Sequence, residues 1–220
     1  RFQMTITDAI NKYKDILGST VKLVAVSKTK PESAITEAYQ AGQRDFGENK
    51  IQEMTAKAES LPRDIRWHMI GNIQTNKIKY MAPYVHLVHG VDREKVLKEL
   101  NKQGQINGRV ISCLLQIHIA EEDTKFGFDY SECIELIDRL DEYKNVNVTG
   151  LMGMATNTND QEQINKEFMG LKEFFDAHAV THHWDTLSMG MSGDYELAIA
   201  AGSTHVRIGS AIFGARNYTS

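Results

Sequence analysis

The chain has 220 residues, with 25 Lys and Arg against 29 Asp and Glu, giving a net charge of -4. That balance argues against a nucleic-acid or polybasic membrane surface, which needs clustered excess cations, and no apolar run approaches the roughly 20 residues of a membrane span. Cys113 and Cys133 are too few for a disulfide framework, and without a secretory signal the expectation is a reducing, cytoplasmic setting.

Met4 reads as a start, so residues 1–3 are set aside and residues 4–220 are read as one domain. Ala9, Ile10, Tyr13, Ile16 and Leu17 keep helical spacing after Thr7 and Asp8, and Gly18 ends the helix. Beyond it, strand and helix signals alternate. Val21 to Ser27 is an apolar strand, and Glu32 to Ala41 a helix closed by Gly42. Arg44 to Gly47 and Arg66 to Ile70 are short strands, followed by helices from Asn49 to Ser60 and around Asn76 to Met81. Val85 to Val91 is the fourth strand, and Asp92 caps a helix reaching Lys102. Val110 to Ile119 is the longest apolar strand, ahead of an amphipathic helix from Ser131 to Tyr143. Val146 to Met152 and Trp184 to Leu187 are strands, with helices from Asp160 to His178 and from Asp194 to Ala201. Val206 to Phe213 reads as the eighth strand. Strict alternation implies a parallel sheet, and eight units predict a single α/β barrel of the (β/α)8 TIM type with an extra N-terminal helix. An open doubly wound sheet also alternates, but no Gly-x-Gly-x-x-Gly follows the first strand.

In such a barrel the chemistry lies at the C-terminal ends of the strands. The last two ends hold Ser192-Gly193 ahead of a helix, and Gly209-Ser210. Small residues and hydroxyls there suit a phosphate cup of Ser192, Gly209 and Ser210; the local sequence equally allows Ser192 as a helix cap and Gly209 as a close-packing residue. Lys28 ends a buried strand. It is either a desolvated amine able to attack a carbonyl or a solvated, salt-bridged side chain. A cup together with such a lysine suits an aldehyde-bearing phosphate ester, of which pyridoxal 5′-phosphate (PLP) is the evident cofactor. Arg207 lies two residues before Gly209 and so shares its strand face. Facing a pyridine nitrogen, it would keep that nitrogen unprotonated and the ring a weak electron sink; otherwise it is a structural ion pair. His178, His182 and His183 lack a nearby Glu or Cys partner in sequence, so no metal site is expected there, and no catalytic residue is assigned.

Ala25-Val26-Ser27-Lys28-Thr29-Lys30-Pro31, Phe46-Gly47-Glu48-Asn49, Trp67-His68-Met69-Ile70-Gly71, Gly150-Leu151-Met152, Leu187-Ser188-Met189-Gly190-Met191-Ser192 and Val206-Arg207-Ile208-Gly209-Ser210 run in order along the chain. Together they resemble the pyridoxal-phosphate homeostasis protein family. The resemblance implies a PLP fold-type III barrel, similar to the barrel domain of alanine racemase. It implies PLP held on Lys28 as an internal aldimine, and a carrier or buffer role in PLP homeostasis without established turnover. The expected cofactor-binding residues are Lys28, Asn49, His68, Met152, Ser192, Arg207, Gly209 and Ser210. Lys50 follows Asn49 where the family usually has tyrosine. Apo PLP-dependent enzymes are the expected recipients, and a small acidic barrel reads as a monomer. The competing readings are a fold-type III amino-acid racemase, which needs an opposite-face acid that the six residues after Gly214 are not expected to supply, and a Schiff-base aldolase, which places its lysine on a later strand.

Overall fold

The computed structural model describes residues 4–123 and 126–214. Eight parallel strands close into a barrel in sequence order: β1 (Lys22–Val26), β2 (Asp45–Glu48), β3 (Arg66–Met69), β4 (Leu87–Val91), β5 (Ile111–Ile117), β6 (Val146–Gly153), β7 (Thr186–Ser188) and β8 (His205–Ile208). Leu23 pairs with Val206 and Val24 with Arg207, joining the last strand to the first. The open-sheet alternative is thereby excluded.

The N-terminal helix α1 (Ile6–Leu17) starts at a capping box, in which the Thr5 hydroxyl accepts from the Asp8 N–H and the Asp8 carboxylate accepts from the Thr5 N–H. The helices α2 (Glu32–Gln40), α3 (Ile51–Ser60), α4 (Ile78–Met81), α5 (Glu94–Ile106), α6 (Tyr130–Ile137), α7 (Gln161–His182) and α8 (Tyr195–Ala201) follow the strands. Leu23, Ala25, Phe46, Trp67 and Met69 turn outward and pack with these helices in the main apolar core.

Three expected elements differ. The segment read as the eighth strand stops at Ile208; Gly209 breaks it, and Ser210–Phe213 forms a short helix, α9, packed against α1. Apolar residues in a short run cannot distinguish a strand from a helix turn. The amphipathic helix expected to reach Tyr143 ends at Ile137, and a 3₁₀ turn, Leu140–Glu142, continues it. The third crossover is largely a 3₁₀ turn, Thr75–Lys77, ahead of the four-residue α4.

The inside of the barrel is unusually polar. Its apolar filling includes a small cluster of Leu87, Leu114 and Met152, separate from the outer core. Around it lie the fully buried His68, His89 and Ser188, with Gln116 and Arg207 nearly so. Barrels of this class normally fill these layers with branched apolar residues.

Gly150 marks the tightest join in the wall. It pairs with Leu114 on one side and Thr186 on the other, just after a register shift in β5–β6. A Cβ there would sit 1.7 Å from the Thr186 carbonyl oxygen, whereas one on Gly193 would meet nothing within 4 Å. Gly150→Ala should therefore lower the unfolding free energy by about 3 kcal/mol. Gly193→Ala should stay within about 0.5 kcal/mol. Urea unfolding monitored by tryptophan fluorescence measures both.

Candidate functional site

The loop after β1 shows how the fold aims a lysine. Ser27 to Lys30 is a tight turn, closed by the Lys30 N–H donating to the Ser27 carbonyl at 3.0 Å. Thr29, its third residue, takes φ +63, a left-handed conformation that a β-branched residue adopts at a cost of about 1–3 kcal/mol. Something must hold it. The Thr29 N–H donates to Glu53 Oε2 at 2.7 Å, and Lys57 Nζ donates to the same oxygen at 2.7 Å. Lys57 also donates to the Ser27 carbonyl at 2.9 Å and to Glu48 Oε1. Glu53 and Lys57 lie one turn apart on α3, so the helix clamps the turn through its backbone on both sides of Lys28.

Lys28 opens on a cavity of about 280 Å³ at the C-terminal mouth of the barrel. Asn49, from the end of β2, and the deeply buried Arg207, from β8, line the same space. Val26, Ile70, Met154 and Met191 give it apolar walls, and Asn72, Asp92 and Gln116 give it polar ones. Gly71 is required beside Asn49, since a Cβ there would come within 2.3 Å of the Asn49 carbonyl oxygen. Lys30 takes another direction, donating to the Gly214 carbonyl at 3.2 Å.

The remaining expected site residues fall elsewhere. Met152 is fully buried against Leu87 and Leu114, below the cavity. Met154, two residues on and therefore on the same strand face, lines the cavity in its place. His68 does not line the cavity; its ring bonds Asp45 and His89 deep in the barrel, and Ile70 above it forms the wall. Ser192 lines a separate groove with Thr158, Asn159 and Asp194. Asp194 holds the N-cap position of α8, and its Oδ1 accepts from the Met191 N–H at 2.7 Å. Gly209 lies against Val26, and Ser210 is the exposed first residue of α9. Lys50 lines a neighbouring groove of about 610 Å³ with Lys77 and Arg93. The sequence reading did not place Ile70, Asp92 or Phe126 at the cavity; the two-residue parity from His68 to Ile70 was the available signal for the first.

Burial governs the electrostatics. Glu48 is fully buried, its Oε2 has no hydrogen-bond partner among the described residues, and burial against the pull of Lys57 raises its pKa to about 7. At the opposite, N-terminal end of the barrel, Asp45, His68 and His86 bring donor atoms within 4.8 Å of one another. Arg66 donates to both Asp45 oxygens at 2.9 Å, so a cation already holds that carboxylate. His178 and His182 instead pack their rings beside Trp184. Burial lowers the His86 pKa to about 4 and the His205 pKa to about 3.

Two predictions follow from these charges. Lys57→Met leaves Glu48 buried without its cation and should cost about 3–5 kcal/mol, much of it recovered in the Glu48→Gln/Lys57→Met double variant; chemical denaturation of the cycle tests this. For the histidines, the folded state binds fewer protons than the unfolded one below pH about 6.5. Their contribution is complete above that pH and is lost as pH falls toward their folded values. Glu48 acts oppositely, since its raised pKa makes stability fall as pH rises from its ordinary 4.5 to about 7. His205→Asn should therefore reduce the drop in Tm between pH about 6.5 and 4, measured by calorimetry at fixed ionic strength.

Comparison with known proteins agrees with this geometry. Residues 4–217 match the family described as alanine racemase, N-terminal domain. The chain is 45% identical over 206 residues to the pyridoxal phosphate homeostasis protein of Vibrio alginolyticus, covering 91% of this chain and 88% of that one. It is 40% identical over 210 residues to the protein of the same name from Escherichia coli K12, covering 90% and 87%. PipY of Synechococcus elongatus superposes with a TM-score of 0.91 in its structure without PLP and 0.87 with PLP bound, at 32% identity, covering 96% of this chain and 100% of PipY. Alanine racemase from Bartonella henselae shares the fold at a TM-score of 0.75 and 16% identity, covering 97% of this chain and 60% of the racemase. The chain belongs to the pyridoxal phosphate homeostasis proteins, within the alanine racemase N-terminal domain family.

Proposed function

We propose that this barrel binds PLP covalently through Lys28 and serves as a carrier or buffer of the cofactor. One observation carries the reading: Lys28 and the buried Arg207 open on one cavity whose remaining walls are largely apolar. When bound, PLP supplies an aldehyde that condenses with an amine and releases water. The clamp through Glu53 and Lys57 fixes the backbone on either side of Lys28, so its amine faces the cavity. Val26, Ile70, Met154 and Met191 suit the faces of a flat aromatic ring, and Asn49 offers an amide at its edge. Gly209 and Ser210, at the start of α9, together with Ser192, are proposed for the phosphate. His68 and Met152 support this wall from below.

Arg207 also bears on turnover. A guanidinium keeps its proton at working pH even though burial lowers this one to about 10. Facing the ring nitrogen, it leaves that nitrogen unprotonated, so a carbanion at a bound substrate gains little stabilisation. The proposal is accordingly a protein with little or no turnover, one cofactor-binding unit over residues 4–220. It would work in the cytoplasm as a monomer and release PLP to apo PLP-dependent enzymes. The racemase reading rests on the shared fold alone.

Borohydride reduction of PLP-treated protein, followed by peptide mass mapping, tests the assignment. The cofactor should be trapped on Lys28, be absent in Lys28→Ala and persist in Lys30→Ala. Trapping on Lys30 alone would refute it. Deuterium exchange at Cα across a panel of amino acids should not exceed that of free PLP; a large excess abolished by Lys28→Ala would make the protein an enzyme.

A further inference from the structure

Arg207 is not buried alone. Its Nη2 donates to the Gly153 carbonyl at 3.1 Å, and its Nη1 to the Ser188 carbonyl at 3.1 Å and to Ser188 Oγ. Ser188 Oγ lies 2.9 Å from His89 Nδ1, His89 Nε2 lies 2.8 Å from His68 Nδ1, and His68 Nε2 lies 2.9 Å from Asp45 Oδ1. His68, His89 and Ser188 are fully buried, and Asp45 and Arg207 are 5% and 4% exposed. A single hydrogen-bonded file thus crosses the barrel interior, from a carboxylate at one end to a guanidinium at the cavity.

Both ends dictate the same direction for every proton. Arginine can only donate, so Ser188 Oγ accepts from Arg207 and its own hydroxyl proton goes to His89 Nδ1. From the other end, Asp45 is an acceptor held ionised: burial opposes this, but the bonds from His68 and Arg66 outweigh it and place its pKa far below the ordinary value. His68 must then carry its proton on Nε2. Burial keeps His68 and His89 neutral, so each ring has one N–H and one bare nitrogen. His68 Nδ1 therefore accepts from His89 Nε2–H, and His89 Nδ1 accepts from Ser188. The opposite tautomers would set the bare His68 Nε2 against a carboxylate oxygen. They would also leave the Ser188 proton without an acceptor among the partners recorded for that oxygen.

We propose that Asp45, His68, His89 and Ser188 form a one-directional relay that positions Arg207. These are positioning residues: none of the four lines the cavity. The relay's bearing on the cofactor rests on the reading that Arg207 faces the ring nitrogen; the relay itself does not. Other charged or titratable groups face it from all sides. Lys22 on β1, Arg66 on β3, His86 before β4 and His205 on β8 surround its carboxylate end, and Asp194 attracts Arg207 through space.

Long-range ¹H–¹⁵N spectra of the PLP-free protein, labelled at histidine, test the relay in the unaltered chain. His68 and His89 should both appear at neutral pH as neutral Nε2–H tautomers. An Nδ1–H tautomer, or a charged ring, at either position would overturn the proposal. Ser188→Ala removes the donor to His89 and should shift the His68 nitrogens as well, although Ser188 does not touch His68; unchanged His68 resonances would also overturn it. Asp45→Asn keeps an acceptor while removing the charge. It should shift the His89 nitrogens as well as those of His68, although Asp45 does not touch His89; unchanged His89 resonances would also overturn the relay. Wild-type tautomers remain decisive if either variant fails to fold. Failure of borohydride trapping at Lys28 would count against the cofactor reading alone, and wrong tautomers against the relay alone.

Discussion

The guanidinium of Arg207, buried inside a closed barrel, is the constraint around which the interior is arranged. Removing such a charge from water costs several kcal/mol unless its donors are met. Two backbone carbonyls meet some of them, Gly153 from β6 and Ser188 from β7. Pairing of Met152 with Ser188 and of Ser188 with His205 places those carbonyls where β8 presents the arginine. The polar residues that replace ordinary apolar filling continue this solution, each accepting from the one above it. An apolar residue at Ser188, His89 or His68 would leave a polar neighbour buried without a partner.

The wall of the barrel separates two systems that meet at the cavity. Outside it, Glu48, Glu53 and Lys57 hold the turn containing Lys28 by its backbone. Inside it, the hydrogen-bonded file holds Arg207 by its side chain. Strand parity keeps the two apart. Phe46 and Glu48 face the helices, while Asp45 and Gly47 face the interior. Shifting β2 by one residue would exchange the two sets.

The barrel was legible because its signal is repetition: eight apolar runs, each of the first seven followed by a helical pattern. The end of β8 was not, since Ala211, Ile212 and Phe213 suit a strand as well as the single turn they form. That Lys28, Asn49 and Arg207 share one cavity was legible because strand ends converge at one mouth of such a barrel. The depth of a residue along its strand was not. His68 and Met152 lie on the inward face one inward position below Ile70 and Met154, which reach the cavity. Ser192 lies apart from the cavity for another reason. Its loop is ordered by Asp194, which takes the Met191 N–H and turns the serine toward a different groove. The clamp and the relay carried no local signal, because the clamp joins a helix to two strand ends and the relay joins five separate strands.

The clamp grips the peptide groups flanking Lys28 and makes no demand on what its amine carries. A hook fastened by its shank can be loaded and emptied without being remade. The strained turn at Thr29 is held by α3 from behind the wall, away from the mouth of the cavity. On the proposed reading, exchange at this lysine requires only the breaking and making of bonds at one nitrogen, over a support that stays in place between one occupant and the next.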